Sequence, residues 1–234
     1  MARPFDLITF DFDGVLLHNN YQDLFLEQCR ALGLSWPDDR ERHLARFVHD
    51  YYGSGQSRAD WEAHGEEGFW TVANQRFLDV LRAEGDLEAA LAALRERMQE
   101  LEIIYLYEHG IHELLDSLRE EGYRLAMLTN RDENILEFGV EWGMIEPFEF
   151  IGTRETVGKP KPEPDVYHHI ADRFGVSADR ALHVGDNPYA DILGAHAAGW
   201  DAILIDPDDL FLDWDVPRIP TIHDLPEWLA SRSR

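Results

Sequence analysis

The sequence predicts an α/β protein: a doubly wound parallel sheet with a helical domain inserted after its first strand. Three observations predict it. Short apolar, β-forming runs recur along the chain, each followed by turn or polar residues. Amphipathic helical patterns lie between the later runs, the alternation of a parallel sheet. Residues 16–107, by contrast, hold helical patterns alone.

The strands are DLITFDF at 6–12, YRLAMLT at 123–129, RALHVGD at 180–186 and DAILID at 201–206, with a weaker one, FEFIG, at 148–152. The helix HELLDSLREEG at 112–122 ends on Gly122, a suitable C-cap. PDVYHHIADRFG at 164–175 opens on proline and closes on Gly175, and ADILGAHAAG at 190–199 is a third helical pattern. Residues 1–15 and 108–234 therefore form the α/β core, and 16–107 the inserted domain. Four amphipathic segments fill the insertion, and GSGQSRADWEAHGEEG at 53–68 reads as its glycine-rich linker.

Composition narrows the function. The chain has 234 residues, 44% of them hydrophobic, enough for a sizeable core. Acidic residues number 46 against 21 basic, a net charge of -25, which argues against nucleic acid and anionic membranes as partners. Small anionic substrates remain compatible if the site is locally positive. Cys29 is the single cysteine, so no internal disulfide forms and a reducing compartment is expected. The opening MARPFDLITF does not read as a signal peptide, and no apolar run is long enough to span a bilayer. A soluble cytoplasmic protein, monomer or homodimer, is the expectation.

In open parallel sheets ligands bind beyond the carboxyl ends of the strands. There the sequence places Asp11-Phe12-Asp13-Gly14, then Thr129-Asn130, then Lys159 and Lys161, then Gly185-Asp186 with Asp191 beyond. Side chains alternate along a strand, so Asp11 and Asp13 turn to one region while Phe12 packs away. Clustered carboxylates repel one another, a repulsion that a hard divalent cation relieves, and oxygen ligands suit magnesium (Mg2+). A metal, a lysine and a hydroxyl can together hold a phosphate, which leaves one aspartate to attack phosphorus. Lys159 and Lys161 are the only lysines in the chain. Taken singly, each motif also reads as ordinary turn or cap chemistry.

Together, Asp-Phe-Asp-Gly-Val-Leu, Thr129-Asn130, Lys161-Pro162-Glu163-Pro164-Asp165 and Gly-Asp-Asn-Pro-Tyr-Ala-Asp resemble, in order, the four motifs of the haloacid dehalogenase (HAD) superfamily. The resemblance covers nearly the whole chain. It implies a Rossmann-like core and a C1-type helical cap that closes over the active site. It implies that Asp11 is the nucleophile, that Asp13 is the general acid and base, and that Thr129 and the Asn130 backbone N–H hold the phosphoryl oxygens. Lys161 would neutralise Asp11 and the phosphoryl group. Asp186, the Asp11 carboxylate and the Asp13 carbonyl would ligate magnesium, with Asp191 supporting the metal or orienting the lysine. Typical members have one residue fewer between the two aspartates of the last motif.

A magnesium-dependent phosphomonoester hydrolase acting on a small phosphorylated metabolite is the leading expectation. A β-phosphoglucomutase-like sugar-phosphate mutase keeps the same motifs. A 2-haloacid dehalogenase would resemble this chain without an acid at position 13, and a phosphonatase would need a cap lysine, which is absent. A non-catalytic binding protein would fit loss of Asp11 or Asp13, and both are present. Among the histidines, His183 reads as a hydrogen-bonded core residue, while His168 and His169 read as partly exposed on a helix. Arg58 is the insertion residue best suited to reach an anionic substrate, although a solvated arginine is the plainer reading.

Overall fold

The structure is a computed structural model and describes residues 3–132, 139, 143 and 145–232. The chain divides into two units: one joins the residues up to His18 with those from Tyr107 onward, and the other runs Asn19–Leu106.

In the first unit the strands β1 (Leu7–Phe10), β4 (Arg124–Leu128), β5 (Phe150–Gly152), β6 (Ala181–Gly185), β7 (Asp201–Ile205) and β8 (Arg218–Ile219) form one six-stranded sheet in the order β5-β4-β1-β6-β7-β8. The paired strands run parallel. The chain moves outward from β1 to β4 and β5, then returns to β6 on the other side of β1. That reversal makes the carboxyl end of β1 the topological switch point, where sheets of this kind bind their ligands.

β1 is buried throughout because strands cover both its edges and side chains cover both its faces. Ile8 and Phe10 join Leu115, Leu118 and Met127 on one face. Leu7 joins Ala126, Tyr167 and Ile170 on the other. Each such large apolar side chain contributes roughly 1.5–3 kcal/mol when fully buried. Among the described residues, helices α5 (Ile111–Glu120), α6 (Arg154–Val157), α7 (Pro164–Phe174), α8 (Leu193–Ala197) and α9 (Leu225–Arg232) flank the sheet in sequence. Gly122 and Gly175 adopt the left-handed conformation expected of caps. The predicted helix over 190–199 is corrected: a π-helical turn, Pro188–Ile192, precedes the short α8.

The chain passes between the units at two short strands, β2 (Leu17–Asn19) and β3 (Tyr105–Tyr107), which pair with each other. Neither is visible in the sequence, since three residues carry too little periodicity to register.

The second unit contains α1 (Tyr21–Ala31), α2 (Arg40–Gly53), α3 (Gln56–Leu81) and α4 (Leu87–Glu100) around Phe25, Leu44, Tyr51, Phe77 and Leu94. The predicted linker at 53–68 is corrected here. Most of it is the first half of α3, which kinks at Gly65 (φ 64°, ψ -179°). Tertiary bonding overrides the poor helix propensity of its glycines. Asp60 reaches across the kink to Arg76, taking hydrogen bonds from Nε (2.7 Å) and Nη2 (2.9 Å), and accepts a third from the Tyr51 hydroxyl (3.0 Å). Arg58 is solvated and pairs with Glu62 one turn on, the plainer of its two readings.

The hydrogen bond from Arg76 holds the Asp60 carboxyl below its ordinary value, against the opposing effect of burial. A depressed folded-state value contributes stability above the unfolded value of about 3.9, and that contribution is lost as pH falls through the folded one. Asp60→Ala is therefore expected to cost about 2 kcal/mol at pH 7, and less as the pH approaches 3. Urea melts at the two pH values check this.

Candidate active site

Asp11 follows β1 directly, and its backbone N–H still pairs with the Val184 carbonyl (2.9 Å). Its Oδ1 accepts from the Phe12 N–H (2.7 Å) and from Lys161 Nζ (2.9 Å), so two donors fix the rotation of a carboxylate that is 9% exposed. Phe12 turns into the core, fully buried, as alternation requires. Asp13 is partly exposed. Gly14 has φ 72°, and a Cβ there would lie 1.8 Å from Asp186 Oδ2. Both the backbone and the Asp186 carboxylate thus require glycine. Gly14→Ala is expected to displace Asp186 and lower kcat/KM by on the order of 100-fold. A titration of the variant with a divalent metal checks it, with a higher concentration needed for half-maximal activity as the expected outcome.

Lys161 is 3% exposed, and its Nζ lies 2.7 Å from Asp191 Oδ1 as well as 2.9 Å from Asp11. The loop carrying it is fixed by Asn130, whose side chain accepts from the Lys161 N–H (2.7 Å) and donates to the Lys161 carbonyl (3.0 Å). Asn130 thus does more than offer a backbone N–H. Asp191 accepts from Lys161 and His183 (3.1 Å) on Oδ1 and from the Asn187 N–H (2.9 Å) on Oδ2. Those bonds set Asp191 against the lysine's ammonium. The π-helical turn over Pro188–Ile192 absorbs the extra residue between Asp186 and Asp191 and still delivers Asp191 to Lys161.

His183 is the hydrogen-bonded core residue expected. Burial lowers its pKa. Neutral, it donates from Nε2 to Asp191 and accepts at Nδ1 from the Thr9 hydroxyl (2.8 Å). Its contact with Thr9 was not legible, because the two meet only through the pairing of β1 with β6.

Thr129 follows β4, is buried, and accepts on Oγ1 from the Arg131 N–H (3.2 Å). Arg131 is the site residue that motif reasoning passed over. Its guanidinium grips both oxygens of Asp13, Nη2 to Oδ1 at 2.6 Å and Nε to Oδ2 at 2.7 Å. The available signal was an arginine directly after Thr129-Asn130. Lys159 stands apart, exposed and paired with Asp165. His168 and His169 are exposed on α7.

Electrostatics follow from burial. Burial pushes the Asp11 carboxyl up to about 7, with Lys161 opposing and Asp191 and Asp13 adding to the rise. Asp186 is raised well above the carboxylate range by burial and by Asp11. Burial alone would lower Lys161 and raise Asp191, but Asp11 and Asp191 hold the lysine up, and Lys161 and His183 hold Asp191 down. Oxygens of Asp11, Asp186 and Asp191 lie within 4.8 Å of one another. One ammonium does not neutralise three carboxylates, so these hard oxygen donors fit a divalent cation.

Residues 5–199 match the model of the haloacid dehalogenase-like hydrolases, and the chain belongs to that family. It is 31% identical over 213 residues to a phosphoglycolate phosphatase of Nitrosococcus oceani, covering 88% of this chain and 85% of that protein. It is 31% identical over 117 residues to mouse haloacid dehalogenase-like hydrolase domain-containing protein 3, and that match takes in 50% of this chain and about half, 47%, of the mouse protein. Among solved structures, the L-2-haloacid dehalogenase RSc1362 superposes with a TM-score of 0.61 at 22% identity, over 97% of this chain and 99% of that one, a likeness of fold. Among the described residues no helix is long and apolar enough to cross a membrane.

Proposed function

We propose that the protein is a magnesium-dependent phosphomonoester hydrolase that acts on a small phosphorylated metabolite through an aspartyl-phosphate on Asp11. The observation that carries this reading is the pairing of a buried carboxylate at the switch point, held by Lys161, with a second, partly exposed carboxylate two residues on. Asp13 is the acid that a dehalogenase would lack. The sequence likeness to a named phosphatase over most of both chains supports the same reading.

A carboxylate oxygen of Asp11 attacks phosphorus while Asp13 gives its proton to the departing oxygen. Asp13 then takes a proton from water, which attacks phosphorus in turn and releases phosphate and the Asp11 carboxylate. Lys161 neutralises Asp11 and a phosphoryl oxygen, and Thr129 and the Asn130 N–H hold the remaining phosphoryl oxygens. Asp11, Asp186 and the Asp13 backbone carbonyl would hold magnesium, which when bound supplies charge stabilisation to the phosphoryl oxygens. Asp191, with His183 behind it, fixes Lys161.

Phosphate release from an aryl phosphate, with and without magnesium, tests the proposal. Release that needs the metal is the expected result. Absence of release from aryl phosphate and from a panel of sugar phosphates would sink it.

A further inference from the structure

Asp13 has a conflict with its own neighbour. Arg131 forks both of its carboxylate oxygens, at 2.6 and 2.7 Å. A forked pair of this kind occupies both oxygens of the carboxylate. Proton transfer to a leaving group demands that one of those oxygens turn to the substrate. The grip and the chemistry oppose each other, so Arg131 has to let go during turnover.

What draws it away is set by charge. The two side chains are 30% and 38% exposed, so a ligand can reach them. The Arg131 backbone is anchored at both ends, its N–H on Thr129 Oγ1 and its carbonyl accepting from the Arg154 N–H (3.3 Å). The guanidinium lies 5.9 Å from the Phe12 ring centre, while the exposure of the side chain leaves its tip room to turn with the backbone fixed. Guanidinium binds carboxylate and phosphate with the same forked geometry. A substrate with a second anionic group can therefore replace Asp13 as its partner, and the cation never stands unpaired. A substrate without one must break the ion pair with nothing in exchange.

We infer that Arg131 determines specificity, taking the second anionic group of a small phosphate monoester and releasing Asp13 as it does so. The inference rests on the phosphatase reading and names its substrate class.

The test compares matched substrates on the wild-type protein with magnesium. 2-Phosphoglycolate is set against 2-hydroxyethyl phosphate, which replaces the carboxylate with a hydroxyl. A pentose bisphosphate is set against the matching monophosphate, and an aryl phosphate reports the chemistry alone. The anionic member of at least one pair is expected to show a kcat/KM about tenfold higher or more. Which pair does so tells carboxylate from phosphate. In Arg131→Gln the ratio is expected to collapse toward one, chiefly through KM of the anionic substrate, and Arg131→Lys should restore part of it. Circular dichroism melts show whether the variants fold, and the wild-type ratios stand without them. Turnover of aryl phosphate with no preference in either pair would overturn the inference and leave the phosphatase reading intact. So would equal losses on both members of a pair in Arg131→Gln, the mark of a residue that only steadies Asp13. No turnover of any phosphate would remove both.

Discussion

Asp11→Asn is expected to abolish phosphate release, with a loss on the order of 10⁴-fold or more. The amide has the carboxylate's shape and keeps an oxygen for the Phe12 N–H and Lys161, but it carries no charge with which to attack phosphorus. The same change should not unfold the protein. Burial raises Asp11 to about 7 from an ordinary value near 3.8. A carboxyl raised on folding binds its proton more tightly in the native state, so its contribution to stability falls as pH rises between those values. Removing the charge relieves that penalty. Thermal melts in metal-free buffer at pH 8 are expected to show Asp11→Asn at least as stable as wild type. Activity and stability then move in opposite directions, as at a site strained for function.

Lys161→Met is expected to fail on both counts. Its ammonium lies between Asp11 and Asp191, all but out of solvent, and its loss leaves two buried carboxylates without a counter-charge. Breaking a buried pair by removing one partner costs about 3–5 kcal/mol. Catalysis loses the charge that neutralises nucleophile and phosphoryl group, worth on the order of 10²–10³-fold. Lys161→Arg keeps the charge but not the shape. A planar fork does not fit where a point charge reaches two carboxylates at 2.9 and 2.7 Å. Partial recovery of stability with little recovery of activity is expected, measured by urea melts and phosphate release. This geometry explains why an arginine-rich chain keeps a lysine here. Lys159, exposed on Asp165, has no comparable constraint.

Much of the core was legible because its signals are local. Continuous apolar runs mark the strands of the sheet, and Asp11, Thr129, Lys161 and Asp186 stand at or beyond the carboxyl ends of those runs, where a parallel sheet binds its ligands. Long-range pairing hid the rest. Asp60 and Arg76 are sixteen residues apart, and their bond explains why a glycine-rich stretch stays helical. His183 could be recognised as buried, but not as the support of Asp191. Arg131 and Asp13 are separated by 118 positions, and only the packing of β1 against β4 brings them together. The extra residue before Asp191 blurred its role in the sequence, and the π-helical turn shows how the chain absorbs it.

Phosphorylation of Asp11 is tested most directly by catching the phosphorylated protein. Wild-type protein mixed with magnesium and excess substrate is quenched in acid within one turnover, digested and weighed by mass spectrometry. A peptide spanning Asp11 heavier by one phosphoryl group is expected, and no such species from Asp11→Asn. Release of phosphate by wild type with that peptide unmodified at every quench time, or undiminished release by Asp11→Asn, would contradict it.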